Sequence, residues 1–470
     1  MRNTTLPAYS LKQSEQPHLY KILDSLEVEV NVTSNPYDLK LDHLFQMAAR
    51  INKKRGFLFV SKLLGKHLPV HPALSLASGA ILGCLYESTI LNRSSAMSVV
   101  QLREAFENTK LADELYEQLM DKKIKVDEPT LFIGFAETAT ALGHSMFDAF
   151  EGNVTFLHTT REQIDDMHSL INFEEEHSHA VSHRCYADNP DLFRNASRIV
   201  LVDDEITTGN TSLNIIKELF ERFGHTDFIV ASLLDWRSAQ DRSRFDQLEQ
   251  DLGIRIRCLS LVEGFISVKG SPLEEREPIA PKISTDNEVT FRTLDVSPYF
   301  KPHESEKRST ADGGVAGNDV LYVKHTGRFG MDALQGEALD QEIQQAAAYL
   351  VSQRTGKRIL CIGTGEFMYI PMRIAALMGD GVSCQSTTRS PIHPLQREHY
   401  AITSAFPFDS IEDASIPNFM YNLSPGQYDE AFVFVERAYD ADNGKSFEQA
   451  LSEIGIPVVN LVTFSHCKEV

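Results

Sequence analysis

The sequence is poor in the features that would take it out of the ordinary globular class. It has 470 residues with one tryptophan and six cysteines. Cys84, Cys185, Cys258, Cys361, Cys384 and Cys467 are scattered, and none forms a C-x-x-C pair. That argues against a disulfide scaffold and reads as reduced thiols in a cytoplasmic protein. No run of about 18 apolar residues exists, so no helix is expected to cross a membrane. The opening Met1 to Pro7 lacks the apolar core of a signal peptide. Positive charge is also scarce: 45 Lys and Arg stand against 66 Asp and Glu, a net charge of −21. Such a balance argues against a general nucleic-acid or membrane-surface binder, while leaving room for a local basic pocket.

What is present is a run the rest of the chain is organised around. Ile199 to Thr211 reads Ile-Val-Leu-Val-Asp-Asp-Glu-Ile-Thr-Thr-Gly-Asn-Thr. Four apolar residues, three of them β-branched, predict a buried parallel strand. Two carboxylates follow, then a turn of small hydroxyl residues and a glycine. From Ser212 the apolar spacing is helical, with Gly224 as a stop. A strand that passes through a Thr/Gly loop into a helix N-terminus is an anion cradle. Asp203 and Asp204 would repel a bare polyphosphate there. They suit a ligand with hydroxyl donors or a divalent metal, and a sugar phosphate supplies the hydroxyls. The segment has neither the Gly-Lys-Ser/Thr of a Walker loop nor a G-x-G-x-x-G.

This segment resembles the phosphoribosyl pyrophosphate (PRPP) signature of the type I phosphoribosyltransferases. The resemblance implies that Asp203 and Asp204 hold the ribose hydroxyls, and that Thr207, Thr208, Gly209, Asn210 and Thr211 wrap the 5′-phosphate. It implies an α/β fold: an open, mostly parallel sheet with helices on both faces and a hood or flexible loop. It also implies Mg²⁺, held mostly by PRPP and water and only indirectly by Asp203 and Asp204, as this hard ion prefers.

The flanking chain supplies further parts. Residues 1–35 are a polar extension containing one alternating edge strand, Leu26 to Val32. A helix is expected over Asp42 to Ile51, and a strand over Phe57 to Val60. Ser61, Lys62, Lys66 and His67 follow that strand. Orotate phosphoribosyltransferases carry a Lys-Ser-Gly loop in a comparable early position, so the resemblance makes Lys62 a substrate-loop candidate; a solvated turn is the other reading. A buried helix is expected over residues 75–91, and an amphipathic one over 97–122, broken near Asn108.

Thr130 to His144 repeats strand, turn and helix. By resemblance, Ala136, Glu137, Thr138, Ala139 and Thr140 meet the pyrophosphate of PRPP. Glu137 departs from that role, because a carboxylate repels pyrophosphate; it suits a helix cap or a metal. The strand Val154 to His158 ends in Thr159, Thr160 and Arg161. Arginine grips phosphate bidentately. By resemblance Arg161 stabilises the leaving group, with a surface ion pair as the alternative.

Between Glu162 and Ser197 the periodicity fails. A long irregular insertion inside a domain is commonly functional. The family has a hood here that closes over PRPP, which makes His177, His179, His183 and Arg184 candidates for loop contacts. The histidines and glutamates also raise zinc, but their spacing fits no structural zinc pattern. The strand from Phe228, the acid and arginine at Asp235 and Arg237, a helix over 243–252 and a strand from Gly253 complete the alternating series.

Residues 271–318 read as a linker with one strand, Val289 to Val296. Residues 319–470 then echo the earlier units. Ile359-Leu-Cys-Ile-Gly-Thr-Gly-Glu resembles the strand and loop at Glu137, and Val382 to Arg389 again ends in Thr-Thr-Arg. Glu436 and Arg437 stand where the first copy has its two aspartates, and no Thr-Thr-Gly-x-Thr follows. The sequence thus predicts a phosphoribosyltransferase domain over 36–270 and a degenerate second copy. Thr387 to Pro391, Thr-Thr-Arg-Ser-Pro, resembles the TRSP domain of a bacterial family associated with tellurium-resistance gene clusters. Its members are thought to make a nucleoside-like metabolite. Thr326, Gly327, Arg328, Thr388, Arg389 and Ser390 form a candidate anion site in this second domain.

Taken together, the resemblance implies a cytoplasmic transferase that moves 5-phosphoribosyl from PRPP to a base-like acceptor. No nucleic-acid or membrane partner is expected. A homodimer is raised by analogy, since type I enzymes are often dimers. The alternative is a PRPP-binding sensor or scaffold without turnover, and the tail is also a candidate to bind the second substrate.

Overall fold

Leu131-Phe-Ile-Gly, Ile199-Val-Leu-Val and Phe228-Ile-Val-Ala are apolar at almost every position, as strands covered on both faces must be. The structure, a computed structural model, describes residues 17–50, 56–94, 99–164, 167–174, 182–270, 289–303, 307–309, 315–317, 321–437, 439 and 441–464. These runs form the centre of an eight-stranded sheet. Strands β1 (Ile124–Gly134), β2 (Phe150–His158), β3 (Arg198–Ile206), β4 (Asp227–Asp235) and β5 (Arg255–Gly270) lie parallel in the order β2-β1-β3-β4-β5. The hairpin His18–Leu23/Leu26–Ser34 extends the sheet antiparallel beyond β5. Met331–Asp332 closes the opposite edge against β2.

Helix α1 (Pro72–Thr89) is buried over most of its length and packs on α2 (Ala139–Asp148), which joins β1 to β2. Helices α3 (Asn210–Phe223) and α4 (Ala239–Leu252) join β3 to β4 and β4 to β5. The chain steps one way from β1 to β2 and the other way from β3 to β5. Right-handed crossovers therefore put α2 and the α3/α4 pair on opposite faces. The reversal falls between β1 and β3, where Gly134 lies opposite Val202. Ligands of open α/β sheets bind at the carboxyl ends of strands at such a switch point.

One expected helix is replaced. Asp42 to Ile51 was expected to be helical, but the chain forms a single turn, Leu41–Leu44, and then a strand, Phe45–Ala49. That strand pairs antiparallel with Phe57–Ser61. Phe45 packs edge-on to Phe59 at 4.8 Å and to Trp236 at 6.0 Å. Cross-strand aromatic packing has overridden a local helical pattern. The break at Asn108 is where it was expected: its side chain accepts from Lys110 N between helices Val99–Glu107 and Ala112–Met120.

The second half builds a smaller sheet from β6 (Thr290–Asp295), β7 (Ile359–Gly363), β8 (Val382–Ser386), β9 (Glu430–Val435) and β10 (Val458–Thr463). All are parallel, in the order β6-β10-β9-β7-β8. This is the order β5-β4-β3-β1-β2 of the large sheet, strand for strand. Helix α5 (Ala333–Gln353) precedes β7, and α6 (Tyr369–Leu377) joins β7 to β8 as α2 joins β1 to β2. The fifth strand is supplied differently. It comes from upstream, from within the stretch that reads as linker.

Period-two alternation divides the small sheet between two cores. Leu360, Ile362, Val433 and Val435 face a local core under helix Ala441–Ile454. Ile359, Cys361, Phe432 and Phe434 face the main core, which continues through α6, α2 and α1 into the large sheet. The two halves therefore share one apolar interior. At this seam His144 stacks on Tyr369 at 3.6 Å, and the Tyr369 hydroxyl donates to Asp148 at 2.8 Å.

Candidate active site

At the end of β3, Asp203 Oδ1 accepts from the Asp204 backbone N–H at 2.9 Å. Burial and then the charge of Glu205 push the Asp204 carboxyl up to about 6. The loop Thr207 to Asn210 follows. Gly209 has φ +73°, and a Cβ there would stand 2.5 Å from the Phe245 ring. Only glycine fits this turn without strain. Helix α3 begins at Asn210, with Thr211 in its first turn, and Asn210 N donates to Thr208 Oγ1 at 3.4 Å, so backbone donors of the helix start point into the loop. Below lies a buried ion pair in which Arg237 Nη2 donates to Asp235 Oδ2 at 2.7 Å. The guanidinium also covers Phe245 at 4.2 Å. The structure thus gathers Asp203, Asp204 and Thr207 to Thr211 at one strand end, supported from β4.

Beside them runs the loop after β1. Phe135 N donates to Val202 O at 3.0 Å, and Ala136 N to Thr159 Oγ1 at 2.8 Å. The Ala136–Glu137 peptide is cis. Thr138 sits at the N-cap of α2 without a side-chain cap bond, Ala139 opens the helix, and Thr140 Oγ1 donates to Glu137 O at 3.0 Å. The Glu137 carboxylate neither caps the helix nor joins a set of metal ligands. It is buried in a cluster of cations: Lys66 Nζ donates to Oε1, Arg161 Nη1 lies 3.4 Å from Oε2, and Arg389 Nε 4.0 Å from it. Burial opposes its charge, but Lys66, Arg389 and Arg161 outweigh burial and hold it below the usual carboxylate range. Burial pushes the Lys66 ammonium down, against the pull of Glu137.

Lys62, the lysine singled out from the sequence, is elsewhere. It is bonded to Asp42 O at 2.7 Å on the surface. Lys66 is the lysine brought to the site, because its loop lies along β8, with Val70 and Cys384 exchanging backbone bonds.

The insertion after Arg161 folds back over this end. Hairpin Ile171–Glu174/Ser182–Cys185 docks on the Thr-Thr-Arg segment. Thr160 and Arg184 exchange backbone hydrogen bonds of 2.8 Å, Arg184 Nη1 donates to Arg161 O at 3.3 Å, and His183 Nδ1 lies 3.0 Å from Thr159 Oγ1. His177 and His179 lie outside the described residues. Among the described residues, no three His, Cys, Asp or Glu side chains converge to form a metal site. The two adjacent acids fit a Mg²⁺ ion held chiefly by its ligand and water.

The second half repeats the loop geometry. Gly134 pairs with His158 and Gly363 with Ser386, so Glu366 falls at the place of Glu137 and Arg389 at that of Arg161. The bonds recur as well. Gly365 N donates to Thr387 Oγ1 at 2.9 Å, as Ala136 N does to Thr159 Oγ1 at 2.8 Å. Val202 and Phe434 occupy equivalent positions, so Glu436 takes the place of Asp204 and Val435 that of Asp203. The acid pair is therefore reduced to one carboxylate, one position later than the sequence comparison placed it.

The tail residues that read as an anion site make bonds of their own in this structure. Arg328 is buried in a two-pronged ion pair with Glu436, at 2.8 and 2.9 Å. Thr326 Oγ1 accepts from Arg328 N, and Gly327 O from His158 N. Thr388 pairs its backbone with Phe419, and Ser390 N donates to Thr388 Oγ1. Glu366 crosses the seam, accepting from Thr160 Oγ1 at 2.6 Å and from Arg161 N at 2.8 Å. Arg389 crosses the other way, toward Glu137. The two copies of one loop face each other. The sequence matched the loop of Glu366 to that of Glu137 through their shared Gly-x-x-Glu spacing, but not the exchange of partners between them.

Residues 44–265 match the family model described as phosphoribosyl transferase, and residues 325–451 match the TRSP domain, described as C-terminal to that transferase domain. The chain thus carries a phosphoribosyl transferase domain followed by a TRSP domain. The solved structures it resembles include adenine phosphoribosyltransferases. That of Trypanosoma brucei, in complex with AMP, pyrophosphate and ribose-5-phosphate, is 14% identical, with 53% of this chain and 87% of that one covered and a TM-score of 0.30. That of Giardia lamblia is 15% identical, covering 36% and 88%, with a TM-score of 0.21. That of Leishmania donovani is 14% identical, covering 47% and 77%, with a TM-score of 0.24. A comparison with curated proteins gives no match. The type I transferase fold of the large half rests on its sheet order, its switch point and the family match. Among the described residues, no helix is long and apolar enough to cross a membrane.

Proposed function

We propose that this chain transfers the 5-phosphoribosyl group of PRPP to a nitrogenous, base-like acceptor, with release of pyrophosphate. One observation carries the reading. Two acids and a Thr-Thr-Gly-Asn-Thr loop share the strand end at the switch point of the sheet, beside a helix N-terminus. In this reading Asp203 and Asp204 accept hydrogen bonds from the ribose hydroxyls. Thr207, Thr208, Gly209, Asn210 and Thr211 wrap the 5′-phosphate on the first turn of α3. Ala136 to Thr140 and Arg161 receive the pyrophosphate, where Arg161 balances the charge of the departing group. Mg²⁺, when bound, neutralises charge on the pyrophosphate and ribose oxygens.

The bond that breaks joins C1 of the ribose to a pyrophosphate oxygen, and the bond that forms joins C1 to the acceptor nitrogen. The transition state has oxocarbenium character, so the protein contributes positioning and exclusion of water. The paired strands Ile171–Glu174 and Ser182–Cys185, docked through Thr160 and Arg184, stand on the leaving-group side. Leu44, Phe59, Leu63 and Leu234 surround a crevice of about 10 Å³, the room of one water molecule, beside Asp204 and Glu205. In this reading Asp204 takes the acceptor's proton. The product is then a nucleotide, a precursor suited to a nucleoside-like metabolite.

The test is calorimetric titration of PRPP with and without Mg²⁺, followed by pyrophosphate release against a panel of acceptor bases. The double substitution Asp203→Asn with Asp204→Asn is expected to abolish PRPP binding and leave the fold intact. Unchanged affinity in a folded double variant would remove the ribose assignment. Binding without release for any acceptor would favour a sensor or scaffold over an enzyme.

A further inference from the structure

Three cations from three parts of the chain converge on one buried carboxylate. Lys66 comes from the loop after Phe57–Ser61, Arg161 from the end of β2, and Arg389 from the end of β8 in the second half. The second half also positions Lys66. Ser386 N donates to Gly65 O at 2.7 Å, and Lys66 Nζ lies 3.4 Å from both Gly365 O and Ser386 Oγ. The cluster is not evenly enclosed. The side chains of Lys66 and Glu137 are 3% and 6% exposed, whereas those of Arg161 and Arg389 are 17% and 22% exposed. Its open side is therefore made of two guanidinium groups, which grip a phosphate better than an ammonium does. Phe135 N donates to Val202 O at 3.0 Å, so the loop that carries Glu137 lies beside the strand that carries the acid pair.

We infer that the pyrophosphate end of the site is shared between the two halves: Arg389 binds the anion together with Arg161, and Glu137 is an internal counter-ion with which the anion competes. The inference rests on the transferase reading above and extends it to the TRSP half. It gives that half a direct part in ligand binding. A carboxylate at Glu137 looks misplaced in a pyrophosphate loop. Among three cations it keeps a buried ammonium and two guanidinium groups from repelling one another, at the cost of weaker anion binding.

The test uses the full-length chain and two probes, inorganic pyrophosphate and ribose 5-phosphate, titrated calorimetrically. Arg389→Gln is expected to weaken pyrophosphate at least tenfold and PRPP by a similar factor, with ribose 5-phosphate unchanged within twofold. Arg389→Lys should recover part of the loss. Glu137→Gln is expected to tighten pyrophosphate several-fold, a sign that a merely structural role would not produce. Thermal melting checks that each variant is folded, and if Glu137→Gln unfolds, the two Arg389 variants carry the test. Unchanged pyrophosphate affinity in folded Arg389→Gln would overturn the inference, as would an equal loss for both probes. Failure of the unaltered protein to bind ribose 5-phosphate would instead strike the transferase reading itself.

Discussion

The role proposed for Asp204 and its surroundings pull its proton in opposite directions. It accepts most strongly from ribose hydroxyls, and with both oxygens, when ionised, yet burial and Glu205 raise its pKa to about 6. A carboxyl whose folded pKa lies above its unfolded value stabilises the fold below the unfolded value, and that contribution is lost as pH rises through the folded one. The stability of the unaltered protein relative to Asp204→Asn is therefore expected to fall between about pH 4 and pH 6 and then level off. Urea unfolding of both proteins across that range checks it, and a pH-independent difference would mean an ordinary carboxyl. PRPP affinity is expected to rise through the same interval. At this scale the sequence was informative where a function is written in consecutive residues, as in the thirteen positions from Ile199 to Thr211. It was uninformative about Lys62 and Lys66. Which of two lysines in one loop turns inward depends on β8, some 320 residues later, and no local pattern encodes that.

Elements follow the same division. Strand β3, its loop and α3 could be read from periodicity, because each is specified by its own residues. Phe45–Ala49 could not, since its strand form depends on Phe57–Ser61 and on Trp236 from beyond β4. The loop between β3 and α3 makes a sharp prediction. Gly209→Ala places a methyl group against Phe245 at a positive φ. It is expected to cost about 1–3 kcal/mol and to weaken phosphate-bearing ligands. A urea midpoint matching that of the unaltered chain would show that the loop relaxes freely.

In the whole molecule, the seam between halves concentrates buried histidines. His67 lies against Tyr421, His144 against Tyr369, and His158 N donates to Gly327 O. Burial, aided by Lys66 at His67 and by Arg328 at His158, lowers each to about 3. A group with a depressed folded pKa stabilises the fold above its unfolded value, and this is lost as pH falls toward the folded one. Stability should thus fall from about pH 6.5 toward pH 3, by up to about 1.4 kcal/mol per pH unit for each histidine. Denaturant midpoints at pH 7 and pH 5 check this, and His144→Phe should flatten the slope. A slope unaffected by His144→Phe would place the acid sensitivity elsewhere. The repeat itself was legible as two Thr-Thr-Arg strand ends. The facing of the two loops was not, because sequence order does not give spatial order.

The borrowed strand of the small sheet has a consequence for biosynthesis. β6 touches the sheet only through β10, and β10 lies between β6 and β9. The ribosome makes β10 after the other four strands. Until it arrives, β6 has no neighbour, and β9 presents an open apolar edge of the kind that recruits other chains. The sheet is thus filled from the middle, last. Its half of the molecule cannot be completed in step with synthesis, and Arg389, the cation it lends to the site, stands on a sheet that closes only after Thr463 has been made.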